Sequence, residues 1–158
     1  MQKGKVKRKL KLQTGGNIMK GLDLAKYVVN YACLKDTPIS NLQLQKILYF
    51  INGNYYRRNG KFLVDSDFMA YPFGPVIPAV YQEFKHWGSS DIIDSYDIAI
   101  DNDEDNIKKD IDHYSKISVY DLVQMSHEPS GAWFATKNSV GLFNKIKKED
   151  MIKEFSNA

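Results

Sequence analysis

The sequence predicts a mainly α-helical, single compact domain with one small β-hairpin and a flexible basic arm at its N-terminus. Three observations favour this fold class. Apolar residues recur at helical spacing in several segments, and short β-prone runs with prolines interrupt that pattern once. The first twenty residues hold seven Lys or Arg, no acid and a Gly-Gly pair. A chain of 158 residues suits one domain, with the arm at residues 1–18 and the helical domain at residues 19–158.

The N-terminal part of the domain contains two helical patterns. The first helix is predicted over about residues 21–34, and its apolar face consists of Leu22, Ala25, Val28, Val29 and Ala32. The second is predicted over about residues 41–59, because Ser40 and Gln43 form a capping-box signature and Gly60 suits a helix end. Its apolar stripe consists of Leu44, Ile47, Leu48, Ile51 and Tyr55.

Short β-prone runs follow the second helix. Residues 62–64 and 68–71 favour strands, and the turn-forming triplet 65–67 between them predicts a hairpin. Gly74-Pro75-Val76 is expected to form a turn in which glycine supplies a positive φ. Pro78 then suits the first position of a short helix, whose apolar stripe is Val80, Tyr81, Phe84 and Trp87.

The C-terminal half has weaker helical patterns. Residues 107–114 favour a helix, and Ser118 with an acid three residues later predicts the start of another helix that ends near His127. An aromatic-bearing segment at residues 132–134 follows a small loop. The last helix is predicted over about residues 147–155.

The acidic segment between the two halves is predicted as a loop over residues 91–106, with a short extended piece at residues 97–100. Residues 101–112 superficially resemble a calcium-binding EF-hand loop. The loop's usual Gly is replaced by Asn106, however, and its final Glu by Asp112. We therefore expect a solvated loop or an acidic docking surface for a basic partner protein, and no metal site.

Composition excludes several protein classes. No apolar run reaches the roughly 18 residues of a membrane span. Cys33 is the only cysteine, which excludes an internal disulfide framework and favours a reducing compartment. No hydrophobic signal segment accompanies the basic start. We expect a cytoplasmic protein without membrane contact or cofactor.

Two regions resemble the Panacea, or SocA-like, antitoxin family, which includes phage-associated proteins. In residues 41–90, two aromatic-rich helical patterns flank Gly74-Pro75-Val76. In the C-terminal half, a predicted helix is followed by His127, a small loop and Trp133. The resemblance spans about residues 22–155.

Two features depart from the family pattern. Ala132 stands where the family usually has a proline directly before the tryptophan, and Pro129 lies three residues upstream. The acidic segment 91–112 has no counterpart that aligns.

The resemblance implies an antitoxin that neutralises a cognate toxin by direct contact. In one branch of the family the antitoxin delivers the toxin to an ATP-dependent protease, and the residues leave both modes open. Catalysis has little support, because the three histidines accompany no GxSxG, HExxH or paired-Cys motif.

The candidate site residues are aromatic or match the family motif. The aromatic residues exceed what the core of such a domain needs, and Tyr and Trp are common at binding hot spots. Tyr56, Phe73 and Tyr81 are the candidate partner contacts, although for each one taken singly core packing or an exposed position without a partner is the favoured interpretation. The residues that match the family motif, expected to be mainly structural, are Gly74, Pro75, Trp87, His127 and Trp133. For His127, capping of the preceding helix through a ring nitrogen or packing on the tryptophan is favoured over a partner contact.

The uneven distribution of charge along the chain suggests an alternative function. The net charge of +3 combines +7 in the first twenty residues with −4 in the remainder. The arm residues Lys5, Lys7, Arg8, Lys9 and Lys11 would bind backbone phosphates in a phage or mobile-element regulator associated with nucleic acid. No helix-turn-helix or aromatic stacking surface accompanies them, so a disordered solubilising extension is the favoured interpretation.

Overall fold

The computed structural model describes residues 18–156 of the chain. This range contains seven α-helices and one two-stranded antiparallel sheet. The helices are α1 (Gly21–Leu34), α2 (Asn41–Asn59), α3 (Pro78–Phe84), α4 (Glu104–Tyr114), α5 (Val119–Ser126), α6 (Ala132–Ser139) and α7 (Lys148–Ser156). The strands are β1 (Met69–Tyr71) and β2 (Gly74–Val76), and a 3-10 turn at Lys85–Trp87 follows α3. The mainly helical fold class is confirmed, whereas the predicted arm lies outside the described residues apart from Ile18.

Helix α2 is the centre of the domain. It packs against α1, α3, α4, α5, α7 and β2, and most of its residues are buried. The predicted capping box is present, since the Gln43 backbone N–H donates to Ser40 Oγ at 3.3 Å and the Ser40 backbone N–H donates to Gln43 Oε1 at 3.0 Å. Gly60 ends the helix with φ +74°. Local signals therefore fix both ends of the helix on which the other elements pack.

The hairpin was predicted at the wrong position. Strand β1 pairs with residues 74–76, which were expected to form a turn, and Tyr71 lies opposite Gly74. Residues 62–64 do not pair with β1. The Leu63 and Val64 N–H groups donate to the Asn52 side-chain oxygen at 3.0 and 2.9 Å. Val64 also forms an isolated parallel β-bridge with Met19. Tertiary partners thus occupy the backbone that the predicted hairpin would have used.

The C-terminal half contains one helix that the sequence did not predict, α6. Helix α5 begins as expected, because Ser118 Oγ accepts from the Asp121 N–H at 3.1 Å. Helix α7 lies within one residue of its predicted bounds.

The acidic segment differs from its prediction in one detail, because α4 begins at Glu104, three residues early. Residues 97–100 lie in a loop and belong to no strand. The Asp103 carboxylate before it pairs with Arg58 at 2.7 Å. Among residues 18–156, no three His, Cys, Asp or Glu side chains are grouped so that they could hold a metal ion. None of the helices in this range combines the length and apolar character that a membrane span requires.

Candidate partner-binding surface

Buried polar side chains of α2 hold the backbone around the hairpin. Lys46 is fully buried, and its Nζ donates to the Pro75 carbonyl oxygen at 2.9 Å. Gln45 is also fully buried, and its Oε1 accepts from the Ile77 N–H at 3.0 Å. These contacts satisfy backbone groups that water cannot reach. Strand β2 is therefore attached to the central helix by side chains rather than by a third strand.

Asn41 extends this buried set to the start of α3. Its Nδ2 donates to the Tyr81 carbonyl oxygen at 3.2 Å, and its Oδ1 accepts from Gln45 Nε2 at 3.0 Å. Sequence reasoning missed these polar residues. Their i, i+4 spacing beside the apolar stripe of α2 is a signal that could have found Asn41 and Gln45.

Gly74 allows the hairpin to lie close to α2 and α5. Its φ is +113°, a conformation that residues with a Cβ rarely adopt. A Cβ at this position would collide with Ser126 Oγ and lie 2.7 Å from Lys46 Cε. The positive φ expected from the sequence is present, although the glycine lies in a strand.

Trp133 connects α6 to the hairpin. Its ring is 4% exposed, and its Nε1 donates to the Tyr71 carbonyl oxygen at 2.8 Å. The His127 ring stacks on it with centroids 3.7 Å apart and planes 8° apart. In the structure, His127 therefore packs on the tryptophan. Its backbone N–H also donates to carbonyl oxygens at the end of α5. Burial, followed by the charges of Lys46 and Lys137, lowers the His127 pKa below its usual 6.5.

Lys46 makes the stability of this region depend on pH. Burial lowers its pKa from 10.5 to about 7. Between these values the unfolded chain binds more protons than the folded chain, so the free energy of unfolding rises with pH. We expect a gain of about 2 kcal/mol from pH 7 to pH 9, measured by urea denaturation.

A Lys46→Met variant is the control, since its side chain has similar length and no proton to release. We expect its stability to change much less over the same pH range. His127 interacts with Lys46, but its lowered pKa places its own titration below this range. Equal pH slopes for wild type and Lys46→Met would show that Lys46 does not titrate there.

A group of aromatic side chains lies around the hairpin at the surface. We call it the hairpin face and define it as Tyr71, Phe73, Tyr81 and Phe143. The Tyr71 ring centroid is 6.3 Å from that of Tyr81 and 5.4 Å from that of Phe143. Phe73 is 63% exposed and Phe143 62%. Exposed aromatic groups of this kind are typical of interaction surfaces.

Phe143 is held in place by backbone hydrogen bonds to β1. Its N–H donates to the Ala70 carbonyl oxygen at 2.7 Å, and the Ala70 N–H donates to the Asn144 carbonyl oxygen at 2.9 Å. The φ of Phe143 is +68°, which is unfavourable for an aromatic residue. The fold thus maintains a strained backbone at an exposed ring, a combination found at functional sites.

The structure brings together only some of the predicted site residues. Phe73 and Tyr81 lie on the hairpin face, and Trp133 contacts the backbone of Tyr71 in the same face. Tyr56 does not, because it stacks on Phe62 at 4.8 Å near the end of α2. It lies roughly 20 Å along the helix from Asn41, which binds the Tyr81 backbone.

The remaining predicted residues lie elsewhere. Trp87 is half-buried in the 3-10 turn after α3, 5.5 Å from the His86 ring, and its Nε1 has no hydrogen-bond partner within residues 18–156. The basic residues of the predicted arm, at positions 5–11, lie outside the described residues.

Comparison with known proteins assigns the family. Residues 44–134, more than half of the chain, match the family described as "Antitoxin SocA-like, Panacea domain". The chain belongs to this family. Among the relatives of the SocA-like chain is Antitoxin SocA of Caulobacter vibrioides (strain NA1000 / CB15N), which is 33% identical over 132 residues, covering 75% of this chain and 70% of the relative. No solved structure matches the chain.

The family match includes most of the geometry described above. It covers the buried polar residues Gln45 and Lys46, the hairpin, and Trp133. It ends at Phe134 and so does not extend to Phe143.

Proposed function

We propose that this SocA-like protein is an antitoxin that neutralises a partner toxin by direct protein–protein contact in the cytoplasm, as a binding protein rather than an enzyme. Membership of the antitoxin family carries the proposal. The hairpin face supports it, because exposed aromatic rings on a firmly held backbone lose little entropy when they bind.

We assign the contact to the hairpin face, with Phe73 and Tyr81 as contact residues. Three further residues position the backbone of the hairpin. Gly74 lets it approach α2 and α5, the Pro75 carbonyl oxygen accepts from Lys46, and Trp133 donates to the Tyr71 carbonyl oxygen. Tyr56 would join the contact only if the toxin also covered the far end of α2.

Co-expression with the products of adjacent genes tests the proposal. We expect one adjacent open reading frame to be lethal when expressed alone and harmless when this protein is present, because contact occludes the toxin. Growth on inducing medium is the measurement. The antitoxin function fails if every adjacent product is harmless alone, or remains lethal with this protein present.

The cellular amount of toxin distinguishes occlusion from delivery to an ATP-dependent protease. Occlusion leaves the toxin level unchanged, whereas delivery lowers it and requires the protease. The nucleic-acid alternative depends on the basic residues at positions 1–17. It requires DNA binding that weakens steeply with salt and disappears when residues 1–18 are deleted.

A further inference from the structure

The hairpin face continues into a basic cleft. This cleft is a concavity of about 470 Å³ lined by Val140, Asn144, Lys145, Lys147, Lys148 and Glu149. Lys145 lies opposite Met69 in the backbone ladder beside β1, two residues after Phe143. Asn144, which lines the cleft, directly follows the exposed Phe143, so the ring and the lysines belong to neighbouring parts of the chain, beyond the end of the family match.

This surface is basic although the rest of the domain is acidic. The lining of the cleft contains three lysines and one acid, Glu149, whereas residues 91–112 carry a net charge of −7. In the acidic segment, the Tyr96 N–H donates to the Asn30 side-chain oxygen of α1, and the Ile92 N–H donates to the Ile39 carbonyl oxygen just before α2. The basic cleft instead adjoins β1 and the start of α7.

The lysines of the cleft have few acidic partners of their own. Within residues 18–156, Lys145 pairs with Asp67 at 3.5 Å, and neither Lys147 nor Lys148 has an ion-pair partner. The cleft can therefore accept carboxylates without first breaking strong ion pairs. Val140, 57% exposed, supplies an apolar wall next to them.

We propose that this combined surface docks an acidic segment of the partner toxin that also carries an aromatic or aliphatic side chain. The apolar side chain packs beside Phe143 and Tyr71, and the neighbouring carboxylates lie over the basic cleft. The identification of the partner as a toxin rests on the proposed function, whereas the chemistry of the docked segment rests on this surface alone.

Single-stranded nucleic acid fits the surface less well. Bases stack on open aromatic faces arranged along a strand, whereas Tyr71 meets Tyr81 at 69° and Phe143 at 54°. Residues 18–158 carry a net charge of −3, so the domain as a whole repels a polyanion. A short acidic segment needs only the local lysines.

Two variants remove the apolar and the basic part of the surface separately. Phe143→Asn removes the ring and relieves strain, because Asn adopts a positive φ more readily than an aromatic residue. Leu34→Ser is its matched control, since Leu34 is 77% exposed on α1. Lys147→Glu/Lys148→Glu reverses two charges at the start of α7, where acids are favourable. Its control is the same change at two exposed lysines elsewhere, Lys109→Glu/Lys116→Glu.

Fluorescence anisotropy with labelled probes measures the docking on purified full-length protein. The probes are a short acidic peptide with two phenylalanines, the same peptide with serines instead, its lysine-for-acid counterpart, and a thymidine oligonucleotide. We expect the acidic phenylalanine peptide to bind best. Phe143→Asn and the Lys147/Lys148 double variant should each raise its Kd about tenfold or more, while the two controls leave it unchanged.

Four results with the purified protein would overturn the proposal. The first is equal affinity of the peptide for all variants, and the second is a preference for the serine or lysine peptide. The third is tighter, Phe143-dependent binding of the oligonucleotide, which would make the surface a nucleic-acid site. The fourth is concentration-dependent self-association in sedimentation that Phe143→Asn abolishes, which would make it an interface between two copies of this chain.

The co-expression assay separates this inference from the proposed function. If wild type rescues no toxic neighbour, the proposed function fails, and the peptide titration still decides the docking chemistry. If wild type rescues growth and Phe143→Asn rescues it equally, the docking inference fails alone.

Discussion

Replacement of Trp133 by alanine is expected to destabilise the domain by about 3–5 kcal/mol, because it removes a large buried ring. The loss also includes the Nε1 hydrogen bond to the Tyr71 carbonyl oxygen and the stack on His127. Small domains have a total stability of about 5–15 kcal/mol, so a domain at the lower end of this range would be largely unfolded by the change. Thermal and urea denaturation of the purified variant measure the effect.

Two milder variants separate the contributions to this effect. Trp133→Phe keeps most of the ring and removes the N–H donor, so we expect a loss of about 1–3 kcal/mol. His127→Ala should also destabilise less than Trp133→Ala, since it removes only the stacked partner. This order of stabilities follows if the pair holds α5, α6 and the hairpin together.

A partner-binding role for Trp133 predicts a different pattern. A Trp133→Ala protein that melts like wild type but no longer suppresses the toxin would contradict the structural assignment. The 4% exposure of the ring and its bond to the hairpin backbone favour loss of fold first and loss of binding as its consequence.

Helices with local start and stop signals could be predicted from the sequence. Helix α2 begins at a capping box and ends at a left-handed glycine, and its predicted bounds are confirmed. Helix α6 could not be predicted in this way, because the residue before it is Gly131, which has no side chain to cap the helix. The Ala132 N–H donates instead to Glu154 Oε1 of α7 at 2.9 Å. Such a distant cap is visible only in the fold.

The hairpin shows a second limit of local reasoning. Residues 62–64 have a β-prone composition, but the Asn52 side-chain oxygen accepts hydrogen bonds from the N–H groups of Leu63 and Val64. Strand propensity depends on which partners the fold supplies. Here the competing partner belongs to α2, so no pattern within residues 60–76 could reveal it.

The candidate site was predictable in Gly74 and in some of its aromatic residues. Phe73, Tyr81 and Trp133 were selected because aromatic residues are common at interfaces and in motifs. Lys46 was missed, because lysines on helices are almost always exposed. Phe143 was missed as well, since a single phenylalanine among polar residues does not reveal a positive φ.

Gly74→Ala is the second variant expected to have a large effect. At this position a Cβ introduces backbone strain of about 1–3 kcal/mol, because φ is +113°. It also collides with Ser126 Oγ and crowds Lys46 Cε at 2.7 Å, and overpacking in a core costs a further 1–3 kcal/mol or so. We expect a total loss of about 3–5 kcal/mol in urea denaturation.

Gly60→Ala is the matched control, because this glycine also has a positive φ, +74°, and no atom lies within 4 Å of an added Cβ. It should lose only the cost of the left-handed backbone, about 1–2 kcal/mol. The difference between the two variants isolates the close approach of the hairpin to α2 and α5. If Gly74→Ala were no less stable than Gly60→Ala, the hairpin would have room to move, and Gly74 could not be what positions the exposed rings for the partner.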